Sequence, residues 1–115
     1  MYNKYHAKKT WMKGRVYDSK FESEKAFELQ LKQRAGLIKN LQEQVPFVLQ
    51  EGYINNQGKK IREIVYIADF VYEENGNKIV MDTKSPATRT DVYKIKKKLF
   101  EKRYQEYIFI EVCKK

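Results

Sequence analysis

The sequence predicts an α/β domain in which a mixed sheet is flanked by helices. Three observations predict it. Two segments carry apolar residues at helical spacing behind a Ser/Thr-x-x-acid start. The runs between and after them are apolar or alternating, as strands are. An Asn75-Gly76 pair joins two of those runs and is the favoured two-residue hairpin turn.

The elements follow in order. Residues 1–9 are basic with interleaved Tyr and read as a loose arm. Thr10-Trp11-Met12 and Arg15-Val16-Tyr17 flank Lys13-Gly14 and predict an N-terminal β-hairpin. Ser19-Lys20-Phe21-Glu22 opens a helix over Ser19 to Ala35, which Gly36 stops. Its expected buried stripe pairs Phe27 with Leu31 and Phe21 with Lys25, widened by Ala26 and Leu29. Leu37 to Leu41 reads as short and extended, and Val45 to Ile54 as a strand. Asn55 to Gly58 is a turn.

Ile61 to Tyr72 is apolar on both faces, with Val65, Ile67 and Val71 on one and Ile64, Tyr66, Ala68 and Phe70 on the other. Such a strand is expected to be central and doubly covered. Asn77 to Lys84 returns as its hairpin partner, and Ser85-Pro86-Ala87 breaks it. Thr88-Arg89-Thr90-Asp91 opens a second helix running to Tyr104, with Val92, Ile95 and Leu99 on its core stripe, widened by Phe100. Tyr107 to Val112 closes as a strand.

A chain of 115 residues fits a single domain. Lys and Arg outnumber Asp and Glu by 24 to 15, a formal charge of +9. A small domain this basic meets an anionic partner, and nucleic acid leads. No apolar run approaches membrane-spanning length, and the basic N-terminus has no apolar core of a secretion signal. Cys113 stands alone, so neither a disulfide framework nor a cysteine zinc cluster forms within one chain. A lone thiol fits a reducing cytoplasm.

The hairpin turn fixes a register. With Asn75 and Gly76 as the loop, Glu74 faces Asn77 and Asp69 falls opposite Asp82. Opposed residues project to one face, with Cβ atoms about 4.5–5.5 Å apart. Lys84, two residues beyond Asp82, joins them. Opposed carboxylates repel, so a structural reason for them is hard to supply. A hard divalent cation supplies a functional one, since Mg²⁺ needs only one or two carboxylates besides phosphate and water. Lys84 then holds or deprotonates an attacking water, or neutralises charge on a phosphate. The bland alternative is an exposed Asp82–Lys84 pair on an edge strand, with Asp69 as a salt-bridge partner.

Asp69 followed by Asp82-Thr83-Lys84 resembles the core motif of the PD-(D/E)XK, or restriction-endonuclease-like, superfamily. The wider chain resembles a family of small phage-encoded nucleases of this type, similar to Holliday-junction resolvases. The resembling stretches are Lys4-Tyr5 with Ala7-Lys8-Lys9-Thr10, Tyr17 to Glu22, Ala35 to Ile38, Gln44 to Phe47, Tyr66 to Phe70, Val80 to Lys84, and Tyr93 with Lys96 to Phe100. The resemblance implies a restriction-endonuclease-like αβββαβ core and Mg²⁺-dependent DNA cleavage, with Mn²⁺ as a substitute, on branched or recombination-intermediate DNA. It implies Asp69 and Asp82 as metal-binding acids, Lys84 as the catalytic lysine, Glu22 as the first-helix acid and Gln44 as an auxiliary. Two departures stand out. The second acid is Asp where Glu is commoner, and Ser85 replaces a frequent Gly. An inactive DNA-binding or regulatory phage accessory protein, or a protein-interaction factor keeping the fold, is the alternative.

Other residues have rival readings. Glu22 also completes a capping box with Ser19. Gln44 also reads as a surface or turn residue. His6 reads as exposed or as a contact to the DNA backbone, and Trp11 as a core or interface anchor, with base stacking as its alternative. Lys94, Lys96, Lys97 and Lys98 form either a solvated helix face or, with Arg89, Lys8, Lys9, Lys13 and Arg15, a groove for DNA phosphates. A homodimer is expected from function, because one site per chain serves one strand.

Overall fold

The computed structural model describes residues 10–12, 15–17 and 19–114, with side chains from Ser19 onward. Strands β1 (Thr10–Met12) and β2 (Arg15–Tyr17) pair antiparallel, as the sequence predicts. Residues 1–9, Lys13 and Gly14 lie outside the described residues, as do the side chains of Trp11 and Arg15.

Helix α1 (Lys20–Arg34) starts where Ser19 Oγ accepts the Glu22 amide at 3.0 Å. That contact satisfies one of the orphan donors of the first turn. At the other end Gly36, at φ +80°, closes a Schellman motif in which the Leu37 amide reaches the Lys32 carbonyl. The buried stripe differs from the expected one. Glu22, Ser23, Ala26 and Leu29 are buried, whereas Phe27 and Leu31 are exposed. The stripe is led by a polar residue, which apolar periodicity does not register.

Strand β3 (Lys39–Gln50) is one continuous strand where two separate pieces are expected. The tip of the expected second piece, Tyr53–Ile54, forms strand β4 instead. It pairs in a separate two-stranded ribbon with β5 (Lys60–Ile61). Strands β6 (Ile64–Glu74) and β7 (Asn77–Lys84) flank the Asn75-Gly76 turn. Both loop residues have positive φ, 53° and 80°, the requirement of a type I′ turn. Helix α2 (Asp91–Arg103) is capped by Thr90, whose Oγ1 accepts the Tyr93 amide at 3.1 Å. The expected cap, Thr88, instead takes the Ser85 amide in the preceding turn. Tyr93 and Phe100 form the buried side of α2, and the expected stripe of Val92, Ile95 and Leu99 is exposed. Strand β8 (Tyr107–Cys113) completes the sheet.

The sheet order is β3-β6-β7-β8. Strand β6 pairs antiparallel with both β3 and β7, and β8 joins β7 in parallel, so the sheet is mixed. The fold is therefore mixed α/β, a mixed sheet flanked by helices.

One core lies on the α1 side and contains Ala26, Leu29, Ile38, Phe70, Tyr72, Ile79 and Met81. The other lies on the α2 side and contains Phe47, Leu49, Tyr66, Ala68, Val80, Tyr93 and Phe100. Residues two apart share a face in a regular strand. Ala68 and Phe70 do not, because β6 switches faces at Asp69. Strand β3 switches in step: Glu43 meets Gln30 of α1, while Val45 packs in the α2-side core. The expectation that Tyr66, Ala68 and Phe70 share one face is thus corrected. Ile67 is exposed, so β6 is not covered on both sides along its whole length.

Candidate functional site

The face switch positions the acids. The β6–β7 ladder runs from Glu74–Asn77 to Phe70–Met81. The next couple in that register is Asp69 and Asp82. Here side chains take over from the backbone ladder. The Asp69 amide donates to Asp82 Oδ1 at 3.3 Å, and the Thr83 amide and Thr83 Oγ1 donate to Asp69 Oδ2 at 2.9 and 2.8 Å. Each acid thereby holds the opposite strand.

Asp82 is buried, at 1 % exposed. Its carboxyl is pushed up to about 7, first by burial and then by the neighbouring Asp69 charge, against the pull of Lys84. Lys84 Nζ stands 3.0 Å from Asp82 Oδ2 and 4.2 Å above the Tyr93 ring centre. The expected face for Lys84 is thus the observed one. Asp82 Oδ2 makes this ionic contact without a well-formed hydrogen bond, and the Tyr66 hydroxyl, also buried, has no hydrogen-bond partner among the described residues. Burial, and after it the Asp82 charge, raises the Tyr66 hydroxyl pKa, so it stays a neutral donor beside that carboxylate.

Helix α1 brings the third acid. Glu22 is buried, and Gln44 Nε2 donates to its Oε2 at 2.9 Å. The same amide nitrogen lies 3.4 Å from Asp69 Oδ1. Gln44 therefore bridges the first-helix acid to the strand acids. It falls opposite Asp69 in the β3–β6 register and holds φ at 54° inside a strand. A bulky residue in that left-handed region costs energy that only its surroundings sustain. The capping and site readings of Glu22 use different atoms: the backbone amide serves Ser19, and the carboxylate meets Gln44.

The expected DNA-contacting cations separate into groups. Lys94 and Lys98 are exposed on α2. Lys96, half-buried, donates to the Val65 carbonyl at 2.9 Å. Arg89 Nε meets Glu111 Oε2 at 3.0 Å, and Lys97 Nζ lies 3.9 Å from Glu111 Oε1. Lys8 and Lys9 lie outside the described residues.

Sequence reasoning passes over Thr83, Tyr66, Tyr93 and Glu111. For Glu111 one signal was available: it is the only charge within the apolar run Tyr107 to Val112. The parallel register sets it beside Asp82.

Among the described residues, no three acidic, histidine or cysteine side chains gather closely enough to form a ready-made metal cluster. Asp69 and Asp82 nonetheless offer hard oxygen donors in a place where like charges crowd and the buried Asp82 Oδ2 has Lys84 as its ionic contact. That suits a cation that completes its shell with phosphate and water.

A family model described as protein of unknown function (DUF1064) matches residues 2–115. The chain belongs to the DUF1064 family. No curated protein and no solved structure matches it. Among the described residues of this DUF1064 chain, no helix is long and apolar enough to cross a membrane.

Proposed function

We propose that this chain is a Mg²⁺-dependent DNA endonuclease with a restriction-endonuclease-like core, acting on branched or recombination-intermediate DNA. The observation that carries the reading is the meeting of Asp69, Asp82 and Lys84 where the β6–β7 ladder ends. Apart from the β1–β2 hairpin and the β4–β5 ribbon, the order of one helix, three antiparallel strands, a second helix and a parallel strand agrees with the αβββαβ order that the resemblance implies.

Asp69 and Asp82 hold the cation. A divalent ion there supplies Lewis-acid polarisation of the scissile phosphate. Lys84 faces the same phosphate and neutralises charge as water attacks phosphorus in line and the bond to the leaving sugar oxygen breaks. Glu22, steadied by Gln44, orients the attacking water. Lys94 and Lys98 hold the phosphate backbone, which gives affinity without sequence reading. Mn²⁺ substitutes for Mg²⁺, and two copies of the chain serve the two strands of a duplex.

A second reading is a DNA-binding protein that does not cut. The close Lys84–Asp82 pair favours it, because a buried acid matched by a lysine has a partner without any metal. Purified protein with Mg²⁺ or Mn²⁺ on duplex, single-stranded, flap and four-way DNA separates the two. Cleavage of any of these supports the nuclease. Binding with no cleavage on the whole panel supports the second reading.

A further inference from the structure

Resting on the nuclease reading, we propose that Glu111 and Tyr93 are positioning residues that fix the ammonium group of Lys84 at the site.

Lysine is a poor choice for a fixed charge unless something holds it. Its four-carbon stem has many rotamers, and its ammonium is a point donor with no preferred plane. Two surfaces confine Lys84 here. Asp82 Oδ2 lies on one side at 3.0 Å, and the Tyr93 ring face lies 4.2 Å from the nitrogen. A cation over a tyrosine face is attracted to the ring quadrupole. The ring face thus adds a second contact to the ion pair with Asp82.

Tyr93 is held at both ends. Its backbone amide donates to the Thr90 cap at 3.1 Å, and its hydroxyl donates to Glu111 Oε1 at 2.6 Å. Glu111 sits on β8 in parallel register with Asp82. Its other oxygen accepts Arg89 Nε at 3.0 Å and the Cys113 thiol at 3.2 Å, with Lys97 Nζ 3.9 Å from the first. The carboxylate therefore ties the start of α2 to the sheet. It also balances the charges of Arg89 and Lys97. The chain of contacts runs from Glu111 to the Tyr93 hydroxyl, through the ring to Lys84, and on to Asp82.

A merely structural role for Glu111 would secure α2 without affecting Lys84, so the test reads Lys84 itself. Protons near a ring face are shielded, so the Lys84 Hε signals of ¹³C-lysine-labelled full-length protein resonate upfield of the other lysines. Lys84→Arg assigns them by loss. Tyr93→Leu is expected to abolish the upfield shift and Glu111→Gln to reduce it. Tyr93→Phe, which deletes only the hydroxyl, makes the same test if Glu111→Gln does not fold, and is expected to give a partial loss. In cleavage assays Glu111→Gln is expected to lower kcat by about tenfold to a hundredfold, the scale of a misplaced catalytic group. KM for DNA should stay within about twofold. Lys84 shifts that remain as in the wild type in both Glu111→Gln and Tyr93→Phe overturn the proposal. A wild-type protein that cuts no DNA overturns the nuclease reading instead, and the lysine shifts still decide whether Glu111 and Tyr93 position Lys84.

Discussion

At the scale of the residue, the site is built from groups that oppose one another. Asp82 is almost wholly buried beside a second carboxylate, and its raised pKa reflects burial first and Asp69 second. Such crowding costs stability and is retained where it serves function. Asp69→Asn is therefore expected to raise the thermal stability of metal-free protein, by about 1 kcal/mol, the scale of a typical stabilising change. Cleavage should vanish in the same variant. Calorimetry checks the first part, and a melting temperature below that of the wild type would contradict it.

Glu111 behaves in the opposite sense. Burial acts to raise its pKa, but hydrogen bonds from Tyr93, Cys113 and Arg89, with the Lys97 charge, outweigh burial and hold it down at about 2. Its folded value thus lies below the ordinary unfolded value of about 4.3. The sign follows from linkage: the ionised network stabilises the fold fully above that unfolded value, and the stabilisation is lost as pH falls towards 2. Glu111→Gln is expected to melt below the wild type at neutral pH, with the gap closing as the solution is acidified through that window. A gap that stays constant on acidification would contradict the account.

Asp69, Asp82 and Lys84 were legible in the sequence because charges opposed across a hairpin are anomalous by local rules. Tyr66 and Tyr93 were not, since a tyrosine in an apolar strand looks like core and one among the lysines of a basic helix carries no signal of its own. Both are core as well as site.

At the scale of the element, the informative departure is Gln44. A strand residue at φ 54° is tolerated because its amide bridges Glu22 and Asp69. Gln44→Gly relieves the backbone and deletes the bridge. Glycine removes a left-handed penalty of about 1–2 kcal/mol but loses about 0.5–1 kcal/mol through chain entropy, and the lost hydrogen bond to Glu22 offsets the rest. Stability should therefore change little while cleavage falls, as chemical denaturation and kinetics on the same preparation would measure. A large loss of stability with cleavage intact would show that the bridge is only structural.

The α1 start was readable to the residue, because caps are local chemistry, whereas α2 is capped two residues later than expected, by Thr90. The buried faces were readable only in part: Ala26, Leu29 and Phe100 are buried as expected, whereas Phe27, Leu31, Val92, Ile95 and Leu99 are exposed. Helix α1 turns Glu22, Ala26 and Leu29 inward, and α2 turns Tyr93 and Phe100 inward. Each stripe mixes polar or aromatic positions that a count of aliphatic residues passes over.

At the scale of the whole molecule, the succession of hairpin, helix, strands, helix and strand and the β6–β7 register came from the sequence because turns specify them, while the β4–β5 ribbon did not. The face switch at Asp69 and Gln44 did not, since strict alternation was the only rule available to predict faces. That switch lets one strand serve the α1-side core with Phe70 and the α2-side core with Ala68. The site lies between them.

The charge of +9 belongs to this scale as well. DNA affinity should fall steeply as salt rises, because bound phosphates release counterions. Replacing both Lys94 and Lys98 by Ala should lower the salt slope by about two. Fluorescence anisotropy across a salt series measures it, and an unchanged slope would move the contact face away from α2.

The central claim is that Asp69 and Asp82 hold a divalent metal that Lys84 assists in cutting DNA. The measurement that tests it most directly is cleavage of four-way and duplex DNA by wild type, Asp69→Asn and Lys84→Ala, with and without Mg²⁺. The account predicts cutting by the wild type only with the metal, and none by either variant although both still bind DNA. Equal cutting by the variants, or cutting by the wild type in a chelator, would contradict it.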